Sequence, residues 1–274
     1  MRVLSLFDGI SCGMVALERA GIHVERYVAY EIDKYAIKVS KKNYPNIEHK
    51  GNVFDAVYGK DEFDILIGGS PCTYWSIAKS DGKRETTASG FGWELFSQYA
   101  RALKETNAKY FLYENNASMS NEIKDCITKV LNVEPILINS SLVSAQNRKR
   151  LYWTNIPNVT QPKDLEIKLK DILESGYGVT VTKQGKKYSD EIEKAGTLLA
   201  RDYKGFGNQG MVGKIVDGEL KRLSPLEYER LQTLPDNYTD CVSNTQRYKA
   251  IGNGWTVDVI VHIFKGLLTD GTEF

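Results

Sequence analysis

The amino-acid sequence predicts an α/β fold: a doubly wound, mostly parallel sheet carrying a small β and loop subdomain. Three observations lead there. Short apolar runs alternate with helical patterns over the first 155 residues, as parallel strands joined by crossover helices do. Polar residues stand just past the ends of those runs, the edge at which open α/β sheets handle ligands. From about Pro157 to Leu220 the texture shifts to Gly, Lys, Thr and Asp with only short apolar runs.

Along the chain, strands are predicted near Val3–Phe7, Arg26–Tyr30, Asp64–Gly68, Tyr110–Tyr113, Ile136–Asn139 and Arg150–Thr154. Helices fill the gaps. Gly13–Ala20 groups Met14, Val15 and Leu17 and stops at Gly21; Lys34–Asn43 stops before Pro45; Trp93–Glu105 and Asn121–Leu131 show comparable periodicity. In the second region, Ala195–Leu199 precedes the glycine-rich Lys204–Gly210. Ser224-Pro225-Leu226-Glu227 combines an N-cap serine, a first-turn proline and a capping-box glutamate, opening a helix that runs to about Gln232. Val257–Leu268 predicts a last helix packing back on the first domain, which divides the chain into 1–156 with 245–274, and 157–244.

The length of 274 residues fits one large α/β domain with an appendage, or two modest domains. Hydrophobic content of 42% and charged content of 26% are those of a folded protein, not a disordered one. A net charge of +1 excludes a strongly basic nucleic-acid binder but leaves room for a local patch that holds phosphates. Cys12, Cys72, Cys126 and Cys241 are too scattered for a zinc site or redox pair, so a reduced, intracellular setting and no metal are expected. The amino terminus starts directly on a strand-like run, which predicts no signal peptide. No apolar stretch approaches the roughly 20 residues that cross a bilayer.

Cys72 ends Gly68-Gly69-Ser70-Pro71-Cys72, where an apolar run opens into a loop and Pro71 fixes one torsion beside the thiol. This placement suits an aimed nucleophile as well as a packed structural cysteine. Asp8, Glu31 and Glu114-Asn115 also stand at strand ends, so four positions should converge on one cleft. Phe7-Asp8-Gly9-Ile10-Ser11-Cys12-Gly13 is a glycine turn between the first strand and first helix, with Glu31 about 20 residues on, where an acidic side chain accepts from ribose hydroxyls. Together they suggest a nucleoside-containing cofactor, against plain turn and surface chemistry. A Gly-Lys-Ser/Thr phosphate loop is absent.

Phe7-Asp8-Gly9-Ile10, Glu31-Ile32-Asp33, Pro71-Cys72, Glu114-Asn115, Gln146-Asn147-Arg148-Lys149-Arg150, Arg222-Leu223-Ser224-Pro225 through Leu231-Gln232, and Gly252-Asn253-Gly254-Trp255 occur in this order. In that ordered set the chain resembles the DNA cytosine-5 methyltransferases over nearly its whole length. The Phe-Asp-Gly-Ile start and the Gly-x-x-Trp block look most similar to the animal de novo branch; the compact length looks bacterial or viral. The resemblance implies a Rossmann-like, S-adenosylmethionine-dependent enzyme that releases S-adenosylhomocysteine. It implies that a Cys72 thiolate adds at cytosine C6, making C5 nucleophilic, while Glu114 bonds the N3 and exocyclic amine edge. Asn115 would hold the strand end. Arg148 and Arg150 would lie at the active site, with Arg150 preferred as the partner of cytosine O2. Cofactor contacts are implied for Phe7 to Cys12, Glu31, Ile32, Asn52, Val53, Pro71, Asn253, Gly254 and Trp255.

The target carbon is hidden in stacked double-stranded DNA, so the base must be extruded and a loop must close over it. Thr73–Gly92 has the composition of such a loop, and Ser76, Lys79, Lys83 and Arg84 are its candidate DNA contacts. Trp75 reads as a loop anchor in preference to a DNA wedge. Gln146, Arg148 and Arg150 alternate with a strand period and should project from one face. The region 157–244 would recognise the target, through Thr197, Arg201, Gly205 and Phe206, and its shortness suggests a short motif or help from a second subunit. Two departures stand out. Asn52 replaces an Asp usual in the family, leaving an amide oxygen to accept from the adenine amino group, and Asn116 replaces an aliphatic residue. An RNA cytosine-5 methyltransferase and a catalytically silent DNA-binding relative are the alternatives. The missing Cys-Phe-Thr signature of the tRNA-directed branch opposes the first, and the presence of both Cys72 and Glu114 opposes the second. The setting implied is the bacterial cytoplasm or a phage-infected host, without membrane contact, as a monomer or weak homodimer and with a possible cognate restriction endonuclease.

Overall fold

The computed structural model describes residues 1–77, 84–182, 188–206 and 210–269. The main sheet has seven strands in the order β3-β2-β1-β4-β5-β7-β6. These are β1 (Arg2–Leu6), β2 (Arg26–Tyr30), β3 (Glu48–His49), β4 (Ile65–Gly68), β5 (Tyr110–Asn116), β6 (Ile136–Asn139) and β7 (Lys149–Thr154). The first five pair in parallel, and β7 lies antiparallel between β5 and β6. Winding reverses between β1 and β4, which opens a crevice at their carboxyl ends.

Strand alternation decides what each side chain meets. Val3, Ile65, Ile67, Tyr110 and Leu112 face the apolar cluster built with α1 (Cys12–Arg19), α2 (Lys34–Asn43) and α7 (Val257–Leu268). Leu4, Leu6, Leu66, Phe111 and Tyr113 face the opposite cluster, built with α3 (Gly90–Thr106) and α4 (Asn121–Leu131). Trp75, Phe96, Tyr99 and Trp153 are buried in this second cluster, around Tyr113.

The small sheet is antiparallel, in the order β11-β10-β8-β9, from β8 (Tyr177–Val181), β9 (Tyr188–Glu191), β10 (Met211–Val216) and β11 (Glu219–Lys221). Among the described residues, its own apolar cluster holds Val179, Val181 and Ile215, with Phe206 and Leu220 against them. A buried ion pair adds the anchorage that this small cluster lacks. Lys214 Nζ lies 2.6 Å from Glu227 Oε1 of α5 (Pro225–Leu231). The carboxylate is completed by the backbone amides of Ser224 and Glu174, which satisfies a group too costly to bury alone.

The capping box that opens α5 forms as expected, with Ser224 and Glu227 bonding reciprocally behind Pro225. Elsewhere tertiary context moves the boundaries. β5 continues through Asn116 because β7 pairs with it as far as the Asn116–Arg150 register, so Glu114 lies inside a strand and not in the loop after it. α3 begins at Gly90, ahead of Trp93. Helix α6 (Asn244–Asn253) is too polar to read from periodicity; it is fixed from outside, by Tyr248 donating to Leu223 O and Arg247 pairing with the buried Glu229. Among the described residues, no helix is long and apolar enough to cross a membrane.

Gly252 of α6 supplies a test of this packing. In an open helix interior alanine is preferred to glycine by about 1 kcal/mol. A Cβ at Gly252 would instead stand 2.5 Å from Leu199 C and 2.6 Å from Ala200 N. Backbone does not yield as a side-chain tip does, so Gly252→Ala is expected to destabilise by about 1–3 kcal/mol in urea unfolding. An unchanged or raised midpoint would contradict it.

Candidate active site

The β1–α1 turn is built from three left-handed residues, Phe7 (φ 58°), Gly9 (φ 60°) and Ser11 (φ 61°). Two of them are not glycine, and a half-buried carboxylate holds the strained path in place. Asp8 accepts from Ser5 Oγ at 2.7 Å, Ser11 Oγ at 2.5 Å and Tyr27 OH at 2.7 Å. Burial lifts the Asp8 carboxyl above the usual carboxylate range, although all three hydroxyls pull the other way. Gly9 N donates to Glu31 Oε2 at 2.8 Å, and Glu31 Oε1 accepts from Ile32 N and Asp33 N, both at 2.8 Å. Burial outweighs these bonds too, and the Glu31 carboxyl is shifted upward.

These residues open on one cleft of about 1000 Å³ at the carboxyl edge of the sheet. One end is walled by Phe7, Asp8, Gly9, Ile10, Glu31, Ile32, Asn52 and Val53, with the exposed rings of Tyr35 and Phe54 beside them. The other end holds Pro71, Cys72, Glu114, Arg148 and Arg150, with Asn253, Gly254 and Trp255 also in the wall. Ser11 is fully buried beneath the turn, bonded to Asp8 and Ser40, and does not line the cleft. Its place in the turn is structural. Asn52 Oδ1 accepts from Phe54 N at 3.1 Å and caps a short 3-10 turn, Val53–Asp55.

Two cysteines line the cleft, and their surroundings differ. Cys12 is 3% exposed, and burial pushes its thiol up to about 12, against an opposing bond to the Trp255 backbone. It is a packed thiol. Cys72 is partly exposed and starts a 3-10 turn, Cys72–Tyr74, closed by Trp75 N and Ser76 N on Cys72 O. The approach to Cys72 is braced from β5. Ser70 Oγ bonds Tyr113 OH at 2.7 Å, and Asn115 Nδ2 donates to Ser70 O and Tyr113 OH, both at 3.1 Å. Asn116 acquires a role here: its Nδ2 donates to Asn115 Oδ1, and its Oδ1 accepts from Ser118 N and Ser118 Oγ, closing the turn that ends β5.

Glu114 is held at both oxygens. Arg150 Nε stands 2.9 Å from Oε1 and Trp255 Nε1 donates to Oε2 at 2.9 Å. Gly69 makes room for this, since a Cβ there would lie 2.9 Å from Glu114 Oε2. Arg148 does something different. Its buried guanidinium donates to Leu198 O at 3.1 Å, Gly252 O at 3.2 Å and Gly254 O at 3.1 Å. Burial, then the like charge of Arg150, push Arg148 below the ordinary guanidinium range.

The expected common face of Gln146, Arg148 and Arg150 does not form. Gln146 precedes β7, is fully buried, and bonds Leu231 O, Gln232 Oε1 and Leu198 N. A side chain enclosed in this way meets no DNA. Arg84 donates to Trp75 O and Ser118 O, tying the loop after Cys72 to the end of β5. Trp75 is a fully buried anchor whose indole donates to Glu85 Oε2 at 3.3 Å. Thr197 Oγ1 donates to Asn147 O, Phe206 packs on the small sheet, and Gly205 is left-handed with open space at its Cα. Arg201 lines the cleft. Lys79 and Lys83 lie outside the described residues. Sequence reasoning missed Gly69, Ser70, Tyr113 and Glu85. Gly69 carried a signal, as the second glycine at the end of a buried strand; Ser70 and Tyr113 meet across a long sequence separation, and Glu85 bonds Trp75 and Gly92 from irregular chain that carries no periodic signal.

The chain matches the C-5 cytosine-specific DNA methylase family over residues 1–175 and 173–269. It is 35% identical over 193 positions to the orphan methyltransferase M.SPRI of Bacillus phage SPR, covering 64% of this chain and 43% of that one. The chain thus spans less than half of that relative. It is 30% identical over 322 positions to the type II methyltransferase M1.ScrFI of Lactococcus lactis subsp. cremoris, covering 97% of this chain and 78% of that one. The fold is similar to that of the Entamoeba histolytica methyltransferase EhMeth, with a TM-score of 0.77, 16% identity and coverage of 100% and 99% of the two chains.

Arg148→Lys keeps the charge and loses the planar fork. One ammonium in place of that fork leaves buried carbonyls without donors, so a loss of roughly 2–4 kcal/mol is expected in chemical denaturation. A loss within error would show that the three bonds carry no net stability.

Proposed function

Since the chain belongs to the C-5 cytosine-specific DNA methylase family, we propose that it transfers a methyl group to C5 of a cytosine extruded from double-stranded DNA. The observation that carries this reading is the one cleft that holds partly exposed Cys72 at one end, with Glu114 paired to Arg150 and bonded by Trp255, and the β1–α1 turn with Glu31 at the other. The second end fits S-adenosylmethionine. Gly9 has open space at its Cα, Glu31 presents a carboxylate to ribose hydroxyls, and Ile32, Tyr35 and Phe54 offer apolar surface to a purine. When bound, this cofactor supplies an electrophilic methyl group on a sulfonium.

The chain's own residues prepare the acceptor. The Cys72 thiolate forms a bond to C6, and Glu114 gives a proton to N3 as the ring electrons move toward C5. C5 would then be the acceptor for the methyl group that the bound cofactor supplies. Loss of the C5 proton to solvent water, cleavage of the sulfur–C6 bond and return of the N3 proton to Glu114 restore the ring, the thiolate and the acid. Arg150 is assigned to cytosine O2, which is supported by the commitment of Arg148 to three backbone carbonyls. Asn115 braces the Ser70 backbone next to Pro71 and Cys72 and takes no part in bond making. The region 157–244 is assigned to target recognition. Its small apolar cluster fits a short motif; a long motif methylated by a protein of monomer mass in solution would defeat that assignment.

The direct test incubates DNA or RNA with labelled S-adenosylmethionine and identifies the modified nucleosides by mass spectrometry. Labelled 5-methylcytosine in DNA is expected; label confined to RNA, or no product at all, would overturn the proposal. Cys72→Ser should keep DNA binding and abolish transfer. Glu114→Gln should lower kcat by roughly 100-fold or more, and full turnover in either variant would remove the role assigned to that residue.

A further inference from the structure

The Gly252-Asn253-Gly254-Trp255 block lines the cleft, and among the described residues the one side-chain hydrogen bond of Trp255 goes to Glu114, Nε1 to Oε2 at 2.9 Å. We propose that Trp255 is a positioning residue for Glu114, its indole N–H setting the plane in which the carboxyl meets the target base. The proposal rests on the role given to Glu114 above.

Strand geometry brings the two together. Glu114 lies on the same side of β5 as Tyr110 and Leu112, the side covered by α1 and α7, and the short link from α6 to α7 crosses the end of β5 there. Arg150, diagonal to Glu114 across the β5–β7 pair, forms an ion pair with the other oxygen, its Nε 2.9 Å away. A carboxyl held at one oxygen can rotate about its last torsion; one held at both, by an indole N–H and a guanidinium on two different elements, is restricted to one plane. That matters for a group that must address N3 and the exocyclic amine of cytosine at the same time.

The indole is itself aimed. Gly254 O accepts from Arg148 at 3.1 Å and from Gln232 Nε2 at 3.0 Å. On the other side of the indole, Thr256 Oγ1 donates to Gln232 Oε1 at 2.7 Å, and Gln146 Nε2 donates to the same oxygen at 3.1 Å. The ring edge lies over Gly13, where a Cβ would stand 3.6 Å from Cζ3, and the indole nitrogen would be 3.4 Å from a Cβ at Gly69. Gly69 leaves space for the carboxylate that the indole meets, since a Cβ there would lie 2.9 Å from Glu114 Oε2, and buried polar side chains fix the backbone on both sides of the ring. A purely apolar wall would require none of this polar scaffolding.

Trp255→Phe keeps an aromatic wall and removes the N–H. A fall in kcat of roughly 10- to 100-fold is expected, with the KM for DNA and the Kd for S-adenosylmethionine held within about twofold. A raised cofactor Kd with kcat intact would overturn the proposal and leave a cofactor wall only. If Trp255→Phe does not fold, the isosteric benzothienylalanine at position 255 replaces it, judged by the same outcomes. The bond is also readable without turnover. The Trp255 indole proton resonance, assigned by its loss in Trp255→Phe or in the benzothienyl protein, should move upfield in Glu114→Ala, and an unmoved resonance would overturn the proposal. A wild-type protein that methylates neither DNA nor RNA would sink the functional reading alone, while the resonance would still decide the bond.

Discussion

The buried guanidinium of Arg148 is the joint on which the site depends. It reaches Leu198 O in the region 157–244 and Gly252 O and Gly254 O at the end of α6, two segments brought to one point beside β7. Five donors in a rigid fork suit this task, because each buried carbonyl needs a partner in a fixed direction. Desolvating the charge is costly, and the carbonyl dipoles are what offset that cost.

Around this joint, buried amides replace apolar contact as the means of registering chain segments. Gln146 bonds Leu198, Leu231 and Gln232; Gln232 in turn bonds Ile251, Gly254 and Thr256. Apolar packing sets how close two segments come, but it tolerates sliding. Hydrogen bonds with fixed donors and acceptors do not, and a network with every member satisfied is rigid. The carboxyl of Glu114 inherits this rigidity from both sides, through Arg150 on β7 and Trp255 after α6.

Much of the main sheet was legible because strands buried on both faces leave continuous apolar runs, and those of β1, β2 and β4 coincide closely with the predicted spans; the partly exposed edge strand β6 matches its span through a short apolar run. The convergence of Asp8, Glu31, Cys72 and Glu114 was legible too, since parallel strands present their carboxyl ends at one edge. Helix α6 and the extension of β5 were not, because neither is fixed locally. The first is held by Glu229, Leu223 and the 198–200 backbone, the second by pairing with a strand more than thirty residues away in sequence.

The sequence by itself determined the fold class, the strands with which Asp8, Glu31, Cys72 and Glu114 are associated, and through its ordered motifs the family. Periodicity and chain order are local properties, and these conclusions need nothing else. Only the tertiary structure decided how superficially equivalent residues divide their work. Arg148 and Arg150 are two positions apart, yet one clamps backbone and the other grips a carboxylate. Cys12 and Cys72 face one cleft, yet burial holds the first as a packed thiol. Such distinctions depend on which partners the fold delivers from distant parts of the chain, and a linear pattern does not record them.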